Sequence, residues 1–146
     1  MWHKISLKGV IIGAVTDVVG TNIWGFGAGI YISWKYQLYS MPVAEQMTRM
    51  ETLVVQDPVV ATLNVLIGGG FTVLGGYIAA RIAKHDELLN GTLASFLCVL
   101  FALLAIGSTS VLWVIVGIVV NPILGFLGGY LRAWQRRKQN IPAQSN

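Results

Sequence analysis

Cysteine is almost absent. Cys98 is the one such residue in a chain of 146, so an intrachain disulfide and a cysteine-rich metal site are both excluded. Charge is scarce as well: 11% of the residues are Asp, Glu, Lys or Arg, 55% are hydrophobic, and the mean hydropathy is +0.67. Polar surface enough to cover a water-soluble globule cannot be drawn from that composition. The chemistry of sites is missing too, since no Ser/His/Asp set, phosphate loop or HExxH spacing occurs. His3 stands near the start, and His85-Asp86-Glu87 are neighbours on a short loop whose side chains do not converge on one point. The expectation is a protein that is not an enzyme and holds no metal or cofactor.

What the chain has instead is long apolar runs, each long enough for a hydrocarbon core of about 30 Å. The first covers residues 9–34, between Lys8 and Lys35. Asp17 inside this run, and the lack of a cleavage pattern, argue against a signal peptide. The second covers 58–82 and opens with Asp57-Pro58, an N-cap followed by a proline whose missing N–H costs nothing there. The third covers 88–106, and the turn Gly107-Ser108-Thr109-Ser110 leads straight into the fourth, 111–131, making the last two an antiparallel hairpin. A basic, disordered tail over 132–146 completes one transmembrane domain over 1–146. The predicted class is an all-α, polytopic four-helix bundle with glycine-striped helices.

Lys4, Lys8, Arg81, Lys84, Arg132, Arg136, Arg137 and Lys138 fall at one end of these spans, and only Lys35 and Arg49 at the other. Cytoplasmic flanks carry the excess of Lys and Arg, so both termini are expected in the cytoplasm and the protein in the inner (cell) membrane. Aromatic belts agree, with Tyr31, Trp34, Tyr36, Tyr39 and Trp113 at the outer boundary and Trp2, Tyr77, Tyr130 and Trp134 at the inner one. A net charge of +4 therefore reflects topology, and nucleic acid is not an expected partner. Between the first two spans, residues 40–56 place Val43, Met47, Met50 and Val54 at helical spacing. They read as an amphipathic helix on the outer membrane surface or on the bundle, or alternatively as a structured loop.

Small residues recur every fourth position. Gly9, Gly13, Asp17, Thr21, Gly25 and Gly29 line the first span; Asn64, Gly68, Thr72, Gly76 and Ala80 line the second; Gly117, Asn121, Gly125 and Gly129 line the fourth. The third carries Gly91, Ser95, Cys98, Ala102 and Ala105. Lipid tails give no hydrophobic drive for association, so helices gain contact by close backbone approach along such stripes. The stripes suit packing within the chain, between copies, or with other membrane subunits. The tetrapeptide Leu74-Gly75-Gly76-Tyr77 returns as Leu127-Gly128-Gly129-Tyr130, which reads either as an echo of two similar hairpins or as the ordinary frequency of glycine and aromatics at helix ends. The stretch Gly75-Gly76-Tyr77-Ile78-Ala79-Ala80-Arg81-Ile82-Ala83, with Asn90-Gly91-Thr92-Leu93-Ala94, resembles small uncharacterised four-span membrane proteins of bacteria and archaea. That resemblance covers about twenty residues and implies fold and membrane location.

Asp17 is the costliest residue in the spans, because an ionised carboxylate at hydrocarbon depth costs several kcal/mol (~3 or more). It lies roughly 13 Å past Lys8 at helical rise. Thr72, Asn121 and Ser95 fall at similar depth, and Pro122 frees a backbone acceptor near Asn121, so a polar layer of Asp17, Thr72, Asn121 and Ser95 is geometrically feasible. Two uses are open to it: interhelical cement, or a pathway for a proton, cation or small polar solute. Arg132, Arg136, Arg137 and Lys138 form a juxtamembrane cluster that holds the terminus inside and attracts anionic lipid. The leading expectation is a non-catalytic accessory subunit that packs through Gly9, Gly13, Gly25, Gly29, Gly68, Gly76, Gly117, Gly125 and Gly129 into a homo- or hetero-oligomeric complex. A small channel or transporter is the alternative, and lipid handling or membrane shaping a weaker one.

Overall fold

A computed structural model describes residues 4–104 and 111–139. The turn 107–110, the end of the expected third span at Ala105 and Ile106, Trp2, His3, residues 140–146, and the Ala102 and Trp113 side chains lie outside the described residues. Among the described residues every regular element is helical: α1 (Leu7–Lys35), a 3-10 turn (Leu38–Ser40), α2 (Val43–Gln56), α3 (Pro58–Ala83), α4 (Glu87–Leu104) and α5 (Val111–Gln139). Three helices, α1, α3 and α5, are long and apolar enough to cross a membrane. Phe26 is 75% exposed and Val119 56%, and similar large apolar side chains stand outward along all three, a surface that lipid covers and water would not.

The described chain divides into two compact units, Met1–Val18 with Phe71–Asn146, and Val19–Gly70. The single domain read from the sequence is thus built as two centres of packing, with α1 and α3 each contributing to both. In the first unit, glycine sets the distances. A Cβ on Gly9 would stand 2.7 Å from the Ala79 carbonyl oxygen, and one on Gly13 would stand 2.5 Å from that of Gly75. As the α1 number rises the α3 number falls, so these segments are antiparallel. The Ser6 amide donates to Asn90 Oδ1 at 2.7 Å and the Cys98 thiol approaches the Ala14 carbonyl at 3.5 Å, which sets α4 parallel to α1. On α5, a Cβ on Gly125 would meet Gly91 O at 2.6 Å, and one on Gly129 would meet Glu87 O at 2.5 Å, so α4 and α5 run antiparallel.

The two Leu-Gly-Gly-Tyr copies lie against each other. A Cβ on Gly76 would stand 2.5 Å from Gly125 O, and one on Gly128 would collide with the Val73 carbonyl and stand 2.6 Å from the Tyr77 nitrogen. Only glycine lets α3 and α5 approach so closely. The echo noticed in the sequence is therefore a contact in the fold.

The second unit is organised differently. Ala28, Ile32, Leu38 and Val60 form its core, with Trp24, Met41, Met50, Leu53 and Val54 packed around them. Residues 43–56 are helical, and the expected face is buried only in part, through Met50 and Val54. Met50, Leu53 and Val54 turn toward the core, whereas Val43 and Met47 are 72% and 66% exposed. Residues 132–139, which the sequence reading assigns to a disordered tail, are a correction: they continue α5 as helix to Gln139. The reason is tethering. Tyr77 OH donates to Gln135 Oε1 at 2.7 Å, and Arg136 donates to the Lys84 carbonyl at 2.7 Å and to Glu87 at 2.6 Å, while Arg136, Arg137 and Lys138 in the last turn suit the negative end of the helix dipole.

Candidate functional site: a buried polar layer

Four helices bring a polar side chain to one level of the first unit. Asp17 on α1 and Thr72 on α3 are 6% and 4% exposed, and the Thr72 hydroxyl lies 3.3 Å from Asp17 Oδ1 and 3.5 Å from Asn121 Oδ1 of α5. One hydroxyl hydrogen cannot serve both acceptors. Turning over the Asn121 amide makes it the donor to Thr72 and removes the competition. From α4, the Cys98 thiol reaches the Ala14 carbonyl at 3.5 Å, about one helical turn before Asp17. The carboxylate that looks isolated in the sequence is thus surrounded by short polar side chains from α3, α4 and α5. Lysine and arginine are not among these groups.

Asp17, Thr72 and Asn121, which counting residues along each helix puts at one level, meet in the fold. Ser95 stands apart. It is 2% exposed, its hydroxyl donates to the Thr92 carbonyl of its own helix at 2.8 Å, and its Oγ fills the space beside Gly125. Cys98, one turn on, takes the place expected of Ser95. The glycines divide as well. Gly9, Gly13, Gly76, Gly125 and Gly129 lie at close helix approaches, whereas a Cβ on Gly25 or Gly68 would meet nothing within 4 Å, one on Gly29 would make ordinary contact with Met50 at 3.7 Å, and one on Gly117 would touch Asn121 of its own helix at 3.5 Å.

Three further polar clusters join partners that the sequence did not connect. At the start of α3, Asp57 caps the helix as expected, its Oδ1 accepting from the Val59 and Val60 amides at 2.9 and 3.1 Å. Its Oδ2 accepts from Lys35 Nζ at 2.6 Å and from Tyr36 OH at 2.9 Å, and the Lys35 ammonium lies 5.4 and 5.3 Å from the Tyr31 and Tyr36 ring centres. The hydrogen bond from Lys35, then that from the Val60 amide, hold the Asp57 carboxyl down at about 2. Opposite charges bracketing one interhelical connection were the available signal. Trp24 Nε1 donates to Asn64 Oδ1 at 2.6 Å, which ties α1 to α3 within the second unit.

Asn90 is fully buried and joins the start of α4 to the chain before α1. Its Oδ1 takes the Ser6 amide, and its two Nδ2 hydrogens are shared among the carbonyls of Lys4, His85 and Asp86 at 3.1 to 3.2 Å. The His85-Asp86-Glu87 loop holds no converging site: His85 lies 3.6 Å from Asp86, and Glu87 turns away to Arg136. Burial, the largest single influence on Glu87, pushes its carboxyl up, but the Arg136 hydrogen bond, a backbone amide, and the charges of Arg136 and Arg132 together outweigh it and leave the group below its ordinary value. Among the described residues no three His, Cys, Asp or Glu side chains cluster as a metal site would require.

This arrangement can hold helices in register and can hold a proton. Comparison of the chain with family models, with curated proteins and with solved structures finds no match.

Proposed function

We propose that this chain is a non-catalytic, four-span subunit of the cell membrane that assembles with copies of itself or with other membrane proteins through glycine-bearing helix faces. The antiparallel and parallel neighbours of the first unit fit spans that alternate in direction, with α4 as the third span and α5 as the fourth, both termini in the cytoplasm, and α2 on the outer side. The observation that carries the assembly reading is the division of the glycines. Gly9, Gly13, Gly75, Gly76, Gly91, Gly125, Gly128 and Gly129 of the first unit lie against the chain's own helices, while a Cβ on Gly25, Gly27 or Gly70 would meet nothing within 4 Å. Glycine costs helix stability of about 1 kcal/mol relative to alanine in water, and in a lipid-facing helix that cost is offset where another backbone approaches. The test is mass measurement of the intact particle after extraction in a gentle detergent. The expected result is an assembly well above the 15.8 kDa of one chain, which Gly27→Leu and Gly70→Leu shift to smaller species without loss of helical circular dichroism. A wild-type particle of single-chain mass overturns it.

A second reading rests on Asp17. Three other helices supply the groups around it, and a protonatable carboxylate at that depth is the ordinary material of a proton or cation pathway. In reconstituted vesicles this reading expects Asp17→Asn to abolish a flux that wild-type protein supports. Equal flux from both proteins, or none from the wild type, leaves Asp17 as interhelical cement.

A further inference from the structure

The cationic end of the molecule is held in place, and a charge placed only for topology needs no such holding. Positive residues fix the orientation of a span by their number and side, whatever their conformation. Here the segment 132–139 remains helical beyond the apolar part of α5 and is bolted down by the Tyr77–Gln135 and Arg136–Lys84 bonds. Glu87, 13% exposed in its side chain, is engaged by Arg136 at 2.6 Å, so the acid nearest the segment is already neutralised. A polar notch of about 180 Å³ lies between them, lined by Glu87, Ala133, Arg136 and Arg137. Lys138 is stacked on the Trp134 ring, 3.9 Å from its centre, which puts an ammonium on an aromatic side chain of the kind that lies at head-group level. Lys4 and Lys84 flank the same end through the Asn90 and Arg136 bonds to their carbonyls.

We propose that the pinned end of α5 is a binding ledge for the head groups of anionic phospholipids, with Arg132, Arg137 and Lys138 as its recognition charges. Pre-organised cations lose little freedom on binding, so the ledge discriminates a phosphodiester that carries net negative charge from a zwitterionic one. Bilayer lipid is the source because Tyr77, Tyr130 and Trp134 on the same end are groups that anchor at the interface. The inference rests on the transmembrane reading above.

The experiment uses the full chain in neutral detergent micelles, with thermal unfolding followed as short-chain phosphatidylglycerol, short-chain phosphatidylcholine or inorganic phosphate is added. Phosphatidylglycerol is expected to raise the midpoint, and the other two to leave it unchanged at equal concentration. Each neutralised cation lowers the apparent affinity about fivefold, so Arg132→Gln, Arg137→Gln and Lys138→Gln combined lower it roughly a hundredfold. Should the triple variant fail to fold, Arg137→Gln with Lys138→Gln serves, at roughly 25-fold. Equal stabilisation by phosphatidylcholine, a full effect from phosphate, or an unchanged affinity in the variants overturns the proposal. Release of the wild-type chain from membranes by alkaline carbonate sinks the transmembrane reading instead, which separates the two failures.

Discussion

At the scale of single residues, the strongest local constraint is Asp57. One carboxylate ends the backbone of α3, takes the Lys35 ammonium and accepts from Tyr36, while its residue is 1% exposed. Its value in the folded chain is about 2 against 3.8 for an ordinary aspartate. A folded-state value below the unfolded one means that the unfolded chain takes up the proton first. The stabilisation is therefore complete above about pH 4 and disappears as the pH falls through about 2. Thermal unfolding in detergent should show the midpoint dropping across that window in the wild type, with a lower and flatter profile in Asp57→Asn. A wild-type profile that does not bend there contradicts the assignment. Asp57 was legible as a cap from the Asp-Pro pair. Its partner was not, because Lys35 is 22 positions away and only the folded connection brings them together.

At the scale of elements, small-residue stripes identify helices built for contact but do not say where contact is made. A spacing of four exceeds the 3.6-residue turn, so a stripe winds around its helix by roughly 40° per step and meets a given neighbour over only part of its length. Gly125 is at a crossing and Gly70 is not. In Gly125→Ala the new methyl would collide with Ser95 Oγ and stand 2.6 Å from the Gly91 carbonyl, both on packed helix and neither able to withdraw far. The expected loss is about 1–3 kcal/mol of unfolding free energy, measurable by titrating denaturing detergent against helical signal. Gly70→Ala, with nothing within 4 Å, should not lower it and should raise it by up to about 1 kcal/mol, the helix preference of alanine over glycine. The same distinction explains α2. Its amphipathic spacing was visible, yet the choice of Leu53 over Met47 for the buried side depends on where Ile32 and Leu38 stand.

At the scale of the molecule, the asymmetry of charge is the most informative property. The end that carries Lys4, Lys84 and Arg136 is tied together by Asn90 and Glu87, whereas Lys35 and Arg49 accompany Glu45, Glu51 and Asp57 in the other unit. The proposed orientation, with both termini in the cytoplasm, predicts that single cysteines in a Cys98→Ser background react differently with a membrane-impermeant thiol reagent in intact cells. Glu51→Cys is expected to label and Gln139→Cys to remain protected until the membrane is opened. The reverse pattern inverts the orientation while leaving the number of spans intact.

Composition and patterning alone determined the class of the protein. Apolar runs of span length, with bases kept to their ends and Asp17 the one acid within them, are local quantities, and hydrocarbon acts on them residue by residue. Depth was local too, since a fixed rise per residue places Asp17, Thr72 and Asn121 at one level. Azimuth was left to the tertiary structure. Which side of a helix meets which neighbour decided that Cys98 rather than Ser95 stands beside Asp17, that the two Leu-Gly-Gly-Tyr segments touch, and that residues 132–139 are held as helix. Close approach is a property of pairs of backbones, and a single chain of letters contains only one member of each pair at a time.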